Sequence, residues 1–107
     1  MLSEIQQQIA ELIAENSKGA TALFETETAL AEAEYALDTA EAKAFLSAEG
    51  SVADRTAIAK LKSSEERLQR DLAKAQHNRV KVKIRQIETG LMALGTQAKL
   101  INVETRM

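Results

Sequence analysis

The chain has 107 residues, 28% of them charged, a formal net charge of −2, and neither cysteine, proline nor tryptophan. The missing cysteines exclude disulfide frameworks, thiol nucleophiles and thiolate metal sites. No apolar run approaches the roughly 18 residues that a membrane span requires. We therefore expect a soluble, cytoplasmic protein that makes no contact with a membrane.

Composition predicts an all-α chain, because the sequence is rich in Ala, Glu, Lys, Leu and Gln, which lose little rotamer freedom in a helix. The charge is divided unevenly along it. Residues 1–49 hold ten acidic and two basic side chains, whereas residues 50–107 hold six acidic and twelve basic ones. This asymmetry indicates either a nucleic-acid arm or two segments that attract each other.

A first helix is predicted over about residues 3–16. Ser3 can cap it, with Gln6 reaching back, and Ile5, Ile9, Leu12 and Ile13 form one apolar stripe. The stretch "ENSKGA", residues 15–20, follows and is rich in residues that favour local turns. We expect either a kink or a full reversal there.

A second helix, over about residues 20–49, contains a repeat of seven: "TALFETE", "TALAEAE" and "YALDTAE". Leu23, Leu30 and Leu37 recur at one heptad position, and Ala33 and Ala40 lie near the second. A sustained seven-residue apolar period is typical of a left-handed coiled coil. Glutamates run along both flanks of the seam.

The second helix ends at "SAEGSVADR", residues 47–55. Gly50 can adopt the left-handed conformation that closes a helix, and Ser51 with Asp54 repeats the capping pattern for the next one. Because the turn at residues 50–51 is short, it predicts that the chain returns antiparallel to itself.

A long third helix is predicted over about residues 52–104. It includes "HNRVKVKIRQIE", residues 77–88, whose alternation resembles a strand, but the downstream apolar residues keep helical spacing. The stripe contains Val80, Ile84, Ile87, Leu91, Leu94, Ala98 and Ile101. Upstream, Ile58, Leu61, Leu68 and Leu72 continue a related stripe, with a change of register expected near residues 76–80.

These elements predict an all-α, elongated antiparallel helical hairpin or coiled coil with an additional short N-terminal helix, in a single domain over residues 1–107. The third helix is longer than the second. Its end is therefore covered by the first helix or pairs with other copies, and we expect a homo-oligomer. The residues predicted to form the oligomer or helix seam are Leu23, Leu30, Leu37, Ile84, Ile87, Leu91, Leu94 and Ile101.

The basic residues Arg79, Lys81, Lys83 and Arg85 are the candidate functional site. On a helix they flank the apolar stripe from two sides, so they could contact a nucleic-acid phosphate backbone. Alternatively, cations of this region pair with glutamates such as Glu25 or Glu27 across the seam. All three aromatic residues lie in the acidic half, which argues against recognition of nucleic acid by base stacking.

Catalysis is not expected. His77 is the sole histidine, and its polar neighbours predict a solvated surface position. The sequence offers no Glu-x-x-His motif and no second histidine, so we predict no catalytic, cofactor-binding or metal-binding residue.

The segment "AFLSAEGSVADRTAIAKLKSSEERLQRDLAKAQ", residues 44–76, resembles small helical accessory proteins of tailed bacteriophages and prophages, with a looser match at "RQIETGLMALGTQAKL". Genes for such proteins often lie near recombination genes. The resemblance implies an accessory or adaptor protein of DNA recombination or replication in the host cytoplasm, with a phage or host DNA-metabolism protein as a partner. The alternative is a purely structural coiled-coil interaction module without nucleic-acid binding.

Overall fold

The computed structural model describes residues 1–106, and the side chains of residues 1–103. It contains three helices, α1 (Leu2–Ser47), α2 (Val52–Lys62) and α3 (Ser64–Arg106), and the described residues form no strand. The all-α hairpin class is therefore confirmed. The chain divides into two compact units: the terminal unit joins residues 1–24 to α3 from Arg79 onward, and the turn unit comprises residues 25–78.

The full reversal considered at residues 16–20 does not occur, because α1 is one continuous helix of 46 residues that includes both segments predicted as separate helices. Ile13, predicted in the first apolar stripe, is 57% exposed. Within the terminal unit, Ile9, Leu12, Asn16 and Gly19 follow the alternating spacing of three and four that a coiled-coil seam requires. A Cβ added at Gly19 would lie 3.0 Å from Ile84 Cγ1. Close packing against α3 thus outweighs the local turn preference of these residues.

In the turn unit, Gly50 takes a φ of 112° between α1 and α2. The Asp54 backbone N–H donates to Ser51 Oγ at 3.1 Å, which caps α2. Arg55 holds the other side of the turn, since its Nε and Nη2 donate to the Phe45 carbonyl at 3.2 and 3.1 Å. Its guanidinium also lies 4.3 Å from the Phe45 ring centroid. The last turn of α1 is therefore fastened to the first turn of α2.

Ser63 separates α2 from α3 and is fully buried. Its Oγ donates to the Ala59 carbonyl at 2.7 Å, an arrangement that bends helices. The partly buried positions Ala73, His77, Val80 and Ile84 keep steps of three and four, so the described residues show no change of register near residues 76–80. Leu61, Leu68 and Leu72, which the sequence places in the seam, are 76%, 54% and 52% exposed.

The seams of the two units differ in chemistry. In the terminal unit both helices contribute aliphatic side chains, and Ile5 and Ile87 are fully buried. In the turn unit α1 contributes apolar residues such as Leu37 and Ala44, but the partly or fully buried positions of α3 are mostly polar. These α3 positions are Glu66, Arg67, Arg70, Ala73 and His77, and Ser63 precedes them at the junction with α2. Layers with small or polar residues hold the turn unit together, and aliphatic layers hold the terminal unit.

Candidate functional site

The four predicted basic residues lie on α3 in the terminal unit, and all four are exposed. At 100° per residue, Arg79 and Lys83 share one side of the helix, and Lys81 and Arg85 share another. None of their side chains forms a hydrogen bond or an ion pair with a described residue. Their charge is therefore not neutralised within the part of the chain whose side chains are placed.

Arg79 and Lys83 line an open groove of about 440 Å³ between α1 and α3 of the terminal unit. Lys18 and Glu15 of α1 line it as well. The apolar floor consists of Gly19, Ala22, Val80, Ile84 and Ile87. The groove exists because two successive positions on α1, Gly19 and Ala22, carry almost no side chain.

Lys18 is the residue of this groove that sequence reasoning did not single out. It lies in the stretch that the sequence analysis assigned to a turn. A signal was present, since continuing the heptad spacing backward from Leu23 places Lys18 beside the seam position Gly19. Three cations against the single carboxylate of Glu15 therefore surround an apolar floor.

Interhelical ion pairing in the turn unit is limited. Arg67 Nη2 lies 3.2 Å from Glu41 Oε1, and the other ion pair among the described side chains joins the neighbours Arg70 and Asp71. Glu25 and Glu27 form no such pair. Apart from Glu41, the glutamates of the acidic rows, Glu25, Glu27, Glu32 and Glu34, are exposed and form no ion pair with a described residue of α3.

Arg67 also stabilises the bend at Ser63. Its Nη1 donates to the Lys60 carbonyl at 3.1 Å, and its Nη2 donates to Ser63 Oγ at 3.3 Å. The Arg67 guanidinium therefore bonds to the end of α2, to Ser63 and to Glu41 on the opposing helix. This contact fixes how α1 and α3 meet in the turn unit.

His77 is not the solvated surface residue that the sequence predicts. It is half-buried at the seam of the turn unit, and its Nδ1 lies 3.1 Å from Thr26 Oγ1. The reason is spacing, because His77 precedes Val80 and Ile84 by three and seven residues and so shares their side of α3. The pair forms a polar layer between the two helices.

The eight predicted seam residues lie at least partly buried between α1 and α3 of their own chain. Leu37 and Ile87 are fully buried, and the remainder are half-buried. The apolar stripe near the end of α3 is covered by the first part of α1. A Cβ added at Gly90, for example, would meet Leu12 Cδ1 at 3.3 Å. In the terminal unit this stripe therefore has an intrachain partner.

The described residues form neither a metal-binding cluster nor a membrane-spanning helix. No group of three or more His, Asp or Glu side chains within that range could hold a metal ion. The helices of the described chain include none that combines the length and the apolarity needed to cross a membrane.

Comparison with protein-family models, with curated proteins and with solved structures finds no match for this chain. The groove, the exposed charges and the seams are therefore the features from which a function is inferred.

Proposed function

We propose that the protein is a non-enzymatic accessory or adaptor protein that acts through contacts between helices, including self-assembly into a homo-oligomer. The resemblance of residues 44–76 supports a setting in phage DNA recombination or replication. A phage or host protein of DNA metabolism would then be the partner, and the host cytoplasm would be the location.

The observation that carries this proposal is the exposure of large apolar side chains on the outer surfaces of the turn unit. Tyr35, Leu46 and Leu61 are 74%, 75% and 76% exposed, although each lies on a regular helix. Across the described chain the fully buried hydrophobic residues are Ile5, Leu37, Ala44, Ala59 and Ile87. At 100° per residue, Tyr35 and Leu46 lie within about 20° of each other on α1, so their exposed side chains share one side of the helix. A contiguous exposed apolar strip of this kind is typical of an interaction surface.

Contact with a nucleic-acid backbone is a second candidate, supported by the unpaired cations of the terminal unit. Lys81 and Arg85 on one side of α3, with Arg79 and Lys83 on the other, could neutralise phosphates without reading sequence. If the chain is instead a purely structural coiled-coil module, we expect no binding to nucleic acid at low salt.

Sedimentation velocity of the purified protein over a range of concentrations tests the adaptor proposal. A reversible oligomer would support it, whereas a monomer at every concentration would contradict self-assembly. Pull-down with the recombination proteins of a phage that encodes this chain would test the partner separately.

A salt titration tests the second candidate. The wild type and a variant with Arg79, Lys81, Lys83 and Arg85 replaced by Gln are titrated against labelled single- and double-stranded 40-mers. If all four contact phosphates, the log–log salt slope of the variant on duplex should be shallower by about 3–4. Equal slopes would exclude these residues from the interface.

A further inference from the structure

We propose that the groove of the terminal unit binds an acidic ridge on α1 of a second copy of this chain. The acidic ridge comprises Ala31, Tyr35 and Ala42. It also includes the four glutamates on either side of them, Glu25, Glu27, Glu32 and Glu34. The inference rests on the proposed self-assembly and identifies its two surfaces.

The acidic ridge lies on the outer surface of the turn unit. At 100° per residue, Ala31 and Ala42 fall within about 40° of Tyr35 on α1. Glu27 and Glu34 flank this strip on one side. Glu25 and Glu32 flank the other side. Tyr35 is 74% exposed and projects from between two small residues.

Charge complementarity identifies the occupant of the groove. From residue 19 to residue 42 the chain contains six acidic side chains and no Lys or Arg. The groove instead presents Lys18, Arg79 and Lys83 against the single carboxylate of Glu15. Neither these three cations nor the four glutamates of the acidic ridge have an ion-pair partner among the described residues. Each surface therefore carries the charge that the other lacks.

Size and polarity agree with this pairing. The α1 wall of the groove, from Glu15 to Ala22, extends about 10 Å, and the ridge from Ala31 to Ala42 extends about 16 Å, so the ridge is long enough to cover the groove. The open volume of the groove, about 440 Å³, can admit an aromatic ring. A tyrosine suits this environment because its ring is apolar and its hydroxyl remains near the polar rim.

The two surfaces are different, so the contact is heterologous. Every copy offers one groove and one acidic ridge, and such interfaces close into rings or extend into chains. Since the contact depends on exposed charges, we expect it to weaken as the salt concentration rises.

Charge-reversed variants test this interface by sedimentation velocity at low salt. The groove variant is Arg79→Glu with Lys83→Glu, and the ridge variant is Glu27→Lys with Glu34→Lys. The matched control, Lys81→Glu with Arg85→Glu, makes the same charge change on the other side of α3. We expect the groove and ridge variants each to self-associate about tenfold or more weakly, because like charges would then meet. The control should assemble as the wild type does.

Mixing provides the decisive comparison. An equimolar mixture of the groove and ridge variants should regain association, because the native ridge of one can bind the native groove of the other. Circular dichroism at 222 nm verifies that every variant remains helical. Tyr35 is the sole tyrosine and no tryptophan is present, so the fluorescence of the unmodified protein also reports burial of the ridge on assembly.

The outcomes separate this inference from the proposed function. A wild type that never assembles contradicts self-assembly, and the inference fails with it. A wild type that assembles while the groove variant behaves like the control overturns the inference alone. Unchanged assembly, combined with equal loss of DNA binding in the groove variant and the control, would assign the cations to phosphate contacts and would also overturn it.

Discussion

Replacing Gly95 with alanine should stabilise the protein, although the residue lies inside the α3 part of the terminal unit. A Cβ added at Gly95 has no neighbouring atom within 4 Å, so the substitution meets no steric resistance. Glycine in a helix interior is about 0.8–1 kcal/mol less favourable than alanine. We expect the free energy of unfolding to rise by about that amount. For a chain of this length the midpoint temperature would rise by roughly 4 °C.

Gly90 and Gly19 provide two comparisons. Alanine has the same helix preference at both positions, but its Cβ would lie closer to neighbouring atoms there than at Gly95. At Gly90 the new Cβ would lie 3.3 Å from Leu12 Cδ1, the end of a flexible side chain, so we expect a smaller gain. At Gly19 it would lie 3.0 Å from Ile84 Cγ1 and 3.6 Å from Ile84 Cδ1. We expect Gly19→Ala to be destabilising, because Ile84 and the opposing backbone would have to separate.

Urea unfolding followed by circular dichroism at 222 nm measures all three variants at one fixed protein concentration, since assembly would otherwise contribute to apparent stability. The predicted order of stability is Gly95→Ala, then Gly90→Ala, then Gly19→Ala. If Gly95→Ala lowered the unfolding midpoint, the space around that position would be occupied in solution, and the reasoning would be refuted.

Three further pairs of substitutions test the packing of the turn unit by the same unfolding assay. Leu37→Ala should cost about 2–5 kcal/mol because the side chain is 5% exposed. The comparison variant Leu61→Ala, 76% exposed, should stay within about 0.5 kcal/mol, and similar losses for both would contradict the observed seam. Arg55→Met should lower the free energy of unfolding by about 1–3 kcal/mol, because the hydrogen bonds to the Phe45 carbonyl are lost. Lysine cannot make both bonds, so Arg55→Lys should also be less stable than the wild type. Wild-type stability of the lysine variant would refute this. Arg67→Met should lower the free energy of unfolding more than Glu41→Gln does. The ion pair between the two residues is partly exposed and contributes little, whereas Arg67 also donates to the Lys60 carbonyl. Equal losses of stability would show that the ion pair alone matters.

The sequence predicts the helices well where residue type and heptad spacing agree. Leu23, Leu30 and Leu37 are apolar and recur every seven residues, so both signals indicate the same seam. At Asn16 and Gly19 the two signals conflict, since their composition favours a turn while their spacing continues the heptad. Spacing prevails because α3 packs closely against Gly19, and this long-range contact cannot be seen in the local sequence.

The opposite error occurs in α2 and in the first part of α3. Leu61, Leu68 and Leu72 are apolar and therefore predict a seam, yet the structure places them outside it. Counting backward from Val80 in steps of three and four would have placed His77 at the seam. The groove could be predicted only in part, because Arg79 and Lys83 are conspicuous in the sequence. The contribution of Lys18 depends on which residues of α1 face them.

The hydrogen-bonded layer of His77 and Thr26 affects which alignment of the two helices forms during folding. A regular heptad pattern allows α3 to slide along α1 by seven residues while apolar positions still meet apolar positions. A slide in one direction would place His77 opposite Ala33, and a slide in the other would place His77 opposite Gly19. A polar group left buried without a partner costs about 1–3 kcal/mol. One histidine and one threonine thus distinguish the native alignment from its nearest competitors.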